Sequence, residues 1–380
     1  MKLLKYIGHD LKEIIGDRDV IIIMLLGPIF LTFLFGGVYI NDYLDDIPIA
    51  IMDMDNSSMS RMIIDNFDNN DRFIVKYYPS TTEELKKVIN DRKAHMAVYI
   101  PKDFSQDVKG LRGSEVAILV DGTNIVIGNN AYSKATSIIQ TVSAGTQIKL
   151  IQSKGQLPEI AEKTVVPFNF TDRILYDPKI TYMNYLLFGF IAVFLQQVTF
   201  SGVGISICKN GNKMAVENPI LRIFSRIIAS GIYCLISTFI AILIAIKVFE
   251  VPFNGSIPLA LGLSTIFVLA ISPMAIIIAS FVKKKLKFVQ IAYMLSLPTF
   301  ATCGYVWTTE HIPNMLVIGS KILWPLVYFA RPFDEILFKG ADFSVIKSDF
   351  YGLIIFAVIW LTIAIWLFKV RFKVNSKQSS

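Results

Sequence analysis

Cys208-Lys209-Asn210-Gly211-Asn212-Lys213-Met214-Ala215-Val216-Glu217-Asn218-Pro219-Ile220-Leu221-Arg222 is a polar stretch between two long apolar segments. In hydrocarbon its charges and loop backbone would lack partners, so the stretch predicts a loop outside the bilayer. Lys209, Lys213 and Arg222 place that loop on the cytoplasmic side, because basic residues of short loops stay inside. The expectation is a segment that takes a mechanical input from a soluble partner and hands it to membrane helices.

Working outward, the whole chain has the composition of a polytopic membrane protein: 380 residues, 53% apolar and only 18% charged, with positive mean hydropathy. The net charge of +7 invites a nucleic-acid reading. Its concentration in short loops on one side of a bilayer argues instead for a solvated cytoplasmic face, and no nucleic acid is expected as a partner. Cys208, Cys234 and Cys303 lie in or beside apolar segments and read as small packing residues, not a disulfide framework. His9, His95 and His311 are far apart and show no metal-ligand spacing.

Residues 1–19 carry apolar Leu4, Ile7, Leu11 and Ile14 at the helical period, with charges between them. That pattern predicts an amphipathic helix on the cytoplasmic membrane surface. Residues 20–40 are apolar and long enough to cross a bilayer, and no small-residue cleavage site follows, so they predict a first transmembrane anchor. From 41 to 181 the character changes to short apolar runs separated by turns. Residues 47–52, 73–78, 96–100 and 116–120 predict strands. Ser80-Thr81-Thr82-Glu83 predicts a capping box, and Ala131, Ala135, Ile138 and Val142 mark a long helix to about 153. Such an insertion is expected to be a folded α/β domain with its own core.

Five further spans are expected at 182–207, 223–249, 257–282, 288–307 and 350–368, making six in all. Between the last two, 308–349 should form an outer re-entrant hairpin region, because its apolar core is short and broken by Lys321 and Pro325. Lys and Arg number four in 1–19, three in 208–222, four in 283–287 and four after 368, but none in 250–256. Each charge forced to the membrane centre costs ~2.5–3.5 kcal/mol. Both termini, including the 369–380 tail, are therefore expected in the cytoplasm, and the α/β insertion outside. The fold class is a six-helix membrane protein with an inserted extracytoplasmic α/β domain.

Several stretches resemble one family, the permease subunits of type-2 ABC transporters, in the exporter branch with a large outer domain. Lys12-Glu13, Arg18-Asp19 and Pro28 resemble its N-terminal pattern. The 208–222 segment resembles its coupling helix: Glu217 and Pro219 match, and Met214 to Val216 depart from the usual Gly-Thr. Leu175-Tyr176-Asp177-Pro178 resembles the element leading back into the membrane. Tyr328-Phe329, Arg331, Ile336 and Lys339-Gly340 resemble the signature before the last helix. The resemblance implies a dimer with a second copy or a related permease, in a bacterial cell membrane and in contact with its lipids. It further implies a separate ABC ATPase subunit that binds ATP and Mg. Lys213, Glu217, Asn218, Pro219 and Arg222 would dock on that subunit, while Glu13, Arg18 and Asp19 hold the surface helix to the coupling region.

Gln196 and Gln197 sit mid-span and need partners in hydrocarbon, either facing helices or a substrate path, and Thr299 and Thr302 share that reading. No Gly-x-x-x-x-Gly-Lys-Ser/Thr loop occurs, so no cofactor is expected on this chain. No hydrolase motif occurs either, so the chain is not expected to be an enzyme. Asn56-Ser57-Ser58 and Asn169-Phe170-Thr171 match glycosylation sequons of no evident use. The expected activity is outward movement of an amphipathic drug, peptide or lipid. The alternative is a membrane-anchored receptor whose outer domain binds a peptide or lipid.

Overall fold

The structure is a computed structural model that describes residues 2–40, 45–110, 112–155, 157–165, 173, 175–177, 181–282 and 284–378. The side chains of 212, 213, 215–217 and 372–378 are outside that description. Two expected coupling residues, Lys213 and Glu217, are thus described in backbone only. Pro178, Lys283 and the 169–171 sequon lie outside the described residues altogether. The chain divides into two compact units, 1–42 with 174–380, and 43–173.

The first unit opens with α1 (Lys2–Gly16), whose buried face includes Ile14. Asp17 takes an extended backbone conformation and breaks the helix before α2 (Arg18–Ile21). A π-helical turn, Ile22–Leu26, and α3 (Gly27–Val38) then carry the chain on as one apolar helix from Arg18 to Val38. Phe30 and Leu34 on this helix are exposed, as suits a span against lipid.

The 43–173 unit is built on a four-stranded sheet in the order β2-β1-β3-β4. Its elements are β1 (Ile47–Asp53), α4 (Ser58–Asp68), β2 (Phe73–Tyr77), α5 (Thr82–Asn90), β3 (Met96–Ile100), α6 (Phe104–Lys109), β4 (Ala117–Val120), α7 (Ile125–Ser153) and α8 (Pro158–Val165). β1 pairs in parallel with β2 and β3, and β4 closes the edge antiparallel to β3. Alternation along β1 splits the core in two. Ile47, Ile49 and Ile51 pack with Phe67 of α4 and Ala135 of α7, whereas Ala50 and Met52 pack with Leu85 of α5. The cap of α5 falls one residue later than the sequence suggests. Thr81 accepts from Glu84 N at 3.2 Å, and Ser80 N donates to the Glu84 carboxylate at 2.9 Å. Glu84, not Glu83, is thus the acidic partner at this helix start, though its carboxylate takes the N–H of Ser80 and not that of the cap residue Thr81, so no full capping box forms.

The first unit resumes with α9 (Tyr182–Glu217), α10 (Pro219–Lys247), α11 (Ile257–Phe281), α12 (Lys285–Thr302), α13 (Asn314–Leu323), α14 (Ala330–Asp334) and α15 (Phe343–Gln378). Here the central expectation is corrected: 208–217 is not a loop but the last turns of α9. Nothing in Cys208–Glu217 breaks a helix except Gly211, which costs only about 1 kcal/mol. The break falls at Asn218 alone, extended at φ −152°, ψ 96°. The residue before a proline is driven out of the helical region, and the Asn218 side chain caps α10 by accepting from Leu221 N at 3.3 Å.

Among the described residues, five helices are long and apolar enough to cross a membrane: Arg18–Val38, Tyr182–Gly211, Pro219–Lys247, Ile257–Phe281 and Phe343–Arg371. The expected sixth, α12, has 18 residues and starts on Lys285 and Lys287, which leaves it short of that measure. α15 begins at Phe343, seven residues before the expected span, and continues helical through most of the expected tail. α9 lies at the centre, 83% buried over its apolar window. Its glycines admit large neighbours: a Cβ on Gly189 would meet Tyr305 at 2.0 Å, and one on Gly204 would meet Phe288 at 1.9 Å.

Candidate functional site at the first helix

α1 is amphipathic with an anomaly on its inner face. Asp10, one turn before Ile14, is fully buried at 0% exposure. α10 supplies the reason. Arg222, Ser225 and Arg226 occupy one stripe of its first two turns, and all three are buried. Arg222 Nη1 donates to Asp10 Oδ1 at 2.9 Å, and Ser225 Oγ donates to the other Asp10 oxygen. Arg226 Nη2 donates to Glu13 Oε2 at 2.8 Å and stands 3.4 Å from Asp10 Oδ1. The Arg222 guanidinium also lies 4.9 Å from the centroid of the Tyr6 ring. Two carboxylates, Asp10 buried and Glu13 half-buried, thus face two buried guanidinium groups, so the charges of the cluster balance.

The last turns of α9 join the same cluster. Asn210 donates to Glu13, and Lys209 donates to Asp17 at the break between α1 and α2. Burial acts to raise the Asp17 carboxyl, but the hydrogen bond and charge of Lys209, with the charge of Lys285, outweigh it and hold the group below its usual range. Lys285, at the start of α12, reaches Asp19 at 2.6 Å. Tyr233 OH donates to Leu11 O at 3.3 Å, a second tie between α10 and α1. α1 is therefore pinned to both sides of the α9–α10 corner, and the α2 that follows it is tied to α12.

His9, Asp10 and Glu13 have ligand atoms within 4.8 Å of one another. Arginine and serine or asparagine donors already occupy both carboxylates, and two adjacent guanidinium charges oppose a cation there. The arrangement is an ion-pair clamp.

Of the residues expected to transmit motion, Glu13 is at the centre of the clamp. Asp19 pairs with α12 instead of the corner, and Arg18 is exposed with no ion pair among the described residues. Of the expected docking residues, Asn218 is exposed and Pro219 half-buried at the corner. Arg222 is only 2% exposed and faces inward, because Asp10 takes its charge. Asp10, Ser225, Arg226, Lys209 and Lys285 escape a motif search. Two signals point to them in hindsight: an acid on the apolar stripe of α1, and an Arg-x-x-x-Arg pair at 222 and 226.

Among the mid-span residues, Gln196 is a packing knot. Its Oε1 accepts from Trp324 Nε1 at 2.7 Å, while its Nε2 donates to Thr299 Oγ1 at 3.1 Å and Ser296 Oγ at 3.4 Å. Thr302 returns its hydroxyl to Pro298 O at 2.9 Å. Gln197 lines a different place, an apolar cleft of about 570 Å³ formed by Leu26, Phe30, Phe194 and Tyr293.

Likeness to known proteins decides the class. Residues 18–366 match the model of the ABC-2 family transporter proteins. The chain belongs to that family. A probable multidrug ABC transporter permease of Escherichia coli K12, YbhR, is 22% identical over 316 residues, covering 81% of this chain and 82% of YbhR. The inner membrane transport permease YhhJ of the same organism is 21% identical over 375 residues, 95% of each chain. ABC transporter G family member 20 of Dictyostelium discoideum is 21% identical over 350 residues, 86% of this chain but 45% of that protein. The ABC-2 chain described here is accordingly a multi-pass membrane transport component and not itself an enzyme, and its family implies a separate ATPase subunit as partner.

Proposed function

We propose that this ABC-2 chain is the membrane-spanning permease subunit of a dimeric, ATP-driven exporter that moves an amphipathic substrate outward. The observation that carries the proposal is the clamp of Asp10 and Glu13 on Arg222, Arg226 and Asn210. A soluble ATPase acts on what protrudes, and the α9–α10 corner presents Asn218, Pro219 and an exposed Ile220. Whatever moves that corner moves α1 with it, because breaking the buried pairs would strand charges. The reading takes the corner, α1 and the start of α12 as cytoplasmic, α12 as a sixth, short span, and the 43–173 unit as extracytoplasmic. Support comes from the Lys and Arg count, which concentrates on the corner side. ATP would drive outward opening only through the difference in ATPase grip on the corner between two states.

The test uses inside-out vesicles holding this chain and its ATPase, with a fluorescent amphiphile as cargo. Ile220→Asp keeps the corner folded, since Ile220 is exposed, but places a charge on the docking face. ATP-dependent uptake should fall at least tenfold while the chain still extracts and melts as wild type. Full uptake with Ile220→Asp would remove the corner from the coupling path.

A further inference from the structure

The 43–173 unit holds a cleft that its own core does not fill. α7 is 29 residues long, far longer than the strands it covers. Its first half buries Ala131, Ala135 and Ile138 against the sheet. The second half carries a stripe of Ile139, Val142, Thr146 and Leu150 along one wall of a cleft of about 380 Å³. Met59 and Ile63 of α4 and Phe104 and Val108 of α6 form the opposite wall. Among the described residues, no charged side chain lines it. Ligand pockets are commonly of this size, apolar walled, with a few placed polar groups.

A second observation concerns Thr146. It is only 8% exposed, yet it lines the cleft, and its hydroxyl has no hydrogen-bond partner among the described residues. Thr141 on the same helix, by contrast, returns its hydroxyl to Ser137 O at 2.9 Å. The hydroxyl is therefore an uncommitted donor and acceptor on the cleft wall, where a ligand's polar atom can bond to it. Ser143 and Gln147, one turn apart and hydrogen-bonded to each other at 3.2 Å, form a polar rim beside it.

We propose that this cleft binds one small amphipathic molecule with an uncharged head. Its alkyl or aryl body lies between α4, α6 and α7, and its head, a hydroxyl or amide, bonds to Thr146 Oγ1. At about 30 Å³ per water-sized group, the volume suits a body of roughly a dozen non-hydrogen atoms. An ionised head is disfavoured, since no opposite charge among the described residues lines the cleft to offset its desolvation. The assignment stands apart from export: the cleft would bind its ligand even if the chain moved nothing.

The experiment uses the full chain in lipid nanodiscs and a dodecanol analogue carrying a diazirine in its chain and a terminal alkyne. Photolabelling should be saturable, and the labelled peptides should come from 59–63, 104–108 and 139–150. Ser143→Trp, at an exposed rim position, should block the mouth and lower labelling at least fivefold. Thr146→Val keeps shape and removes the hydroxyl, so half-saturation should rise about 2–10-fold, the worth of one hydrogen bond. Dodecyl sulfate should compete less well than dodecanol. Labelling confined to the spanning helices, or labelling at 139–150 that Ser143→Trp leaves intact, would overturn the site. Equal half-saturation in Thr146→Val would overturn the assigned head-group contact.

Discussion

At the scale of single residues, Asp10 carries more of this protein than any sequence motif does. It is buried with two arginines and a serine around it, so its removal strands cations and does not merely lose a contact. Breaking a buried pair from one side costs about 3–5 kcal/mol. Asp10→Leu should therefore lower the melting temperature of the detergent-solubilised chain sharply and abolish ATP-dependent transport. Asp19→Ala, an exposed partner of Lys285, should change melting little, since such pairs contribute ~0–1 kcal/mol. Equal melting of the two variants would contradict the clamp. Gly204 is a second decisive residue, because Phe288 fills the space that a Cβ would need. Gly204→Ala should cost about 1–3 kcal/mol by overpacking, read as a lower melting temperature. The small Gly16→Ala change, with nothing within 4 Å, serves as the control.

At the scale of elements, the α9–α10 corner and the 303–340 region merit separate tests. The corner depends on one cap, Asn218, and on the proline that follows it. Asn218→Ala should cost about 1 kcal/mol. Combined with Pro219→Ala it should let helix extend across the corner, which cross-linking between cysteines at 210 and 220, outside the buried arginine pairs, would detect as a changed separation. In the other region, Tyr305 OH donates to Asp334 Oδ1 at 3.3 Å and also to Tyr185 O, and Tyr185 OH donates back to Tyr305 O at 2.6 Å. Asp334 lies outside the five candidate spans, and burial pushes its carboxyl up to about 7. The Tyr305 hydrogen bond and Lys339 act to lower it, and Glu335 to raise it further. A carboxyl raised in the folded state binds more protons there than in the unfolded chain. Its contribution to stability is thus full below the ordinary carboxylate range and is lost as pH rises toward 7. Melting temperature should fall between pH 5 and pH 8 in the wild type, and Asp334→Asn should flatten that slope. An identical slope in both proteins would remove Asp334 as its source.

At the scale of the whole molecule, the arrangement in the membrane is the matter to test. The corner and the 250–256 turn should be on opposite sides. Asn218→Cys and Asn254→Cys, each on a background with Cys208, Cys234 and Cys303 replaced by serine or alanine, should react with an impermeant maleimide from opposite faces of sealed vesicles. Asn254 donates to Phe338 O at 3.0 Å, so Glu250, more removed from that contact, provides a second position there. Labelling of both turns from one face would invert the scheme. Affinity purification of the full chain should also bring down an ATPase in comparable amount, and this should be lost with Ile220→Asp.

Much of the architecture is legible in the sequence because it depends on local pattern. Long apolar runs mark helices that a bilayer can hold, and the alternation in 47–52 and 96–100 marks strands whose positions the structure keeps within a residue. The sequence by itself could not show that 208–217 is helix, since polarity sets where a chain leaves hydrocarbon and not where a helix stops. Backbone hydrogen bonding decides that, and here it continues to Asn218. Nor could it show the partners of Asp10, 212 and 216 positions away along the chain from Arg222 and Arg226. A carboxylate inside a helix bundle is tolerated only where folding delivers a cation to it, and that meeting is a property of the packed tertiary structure alone.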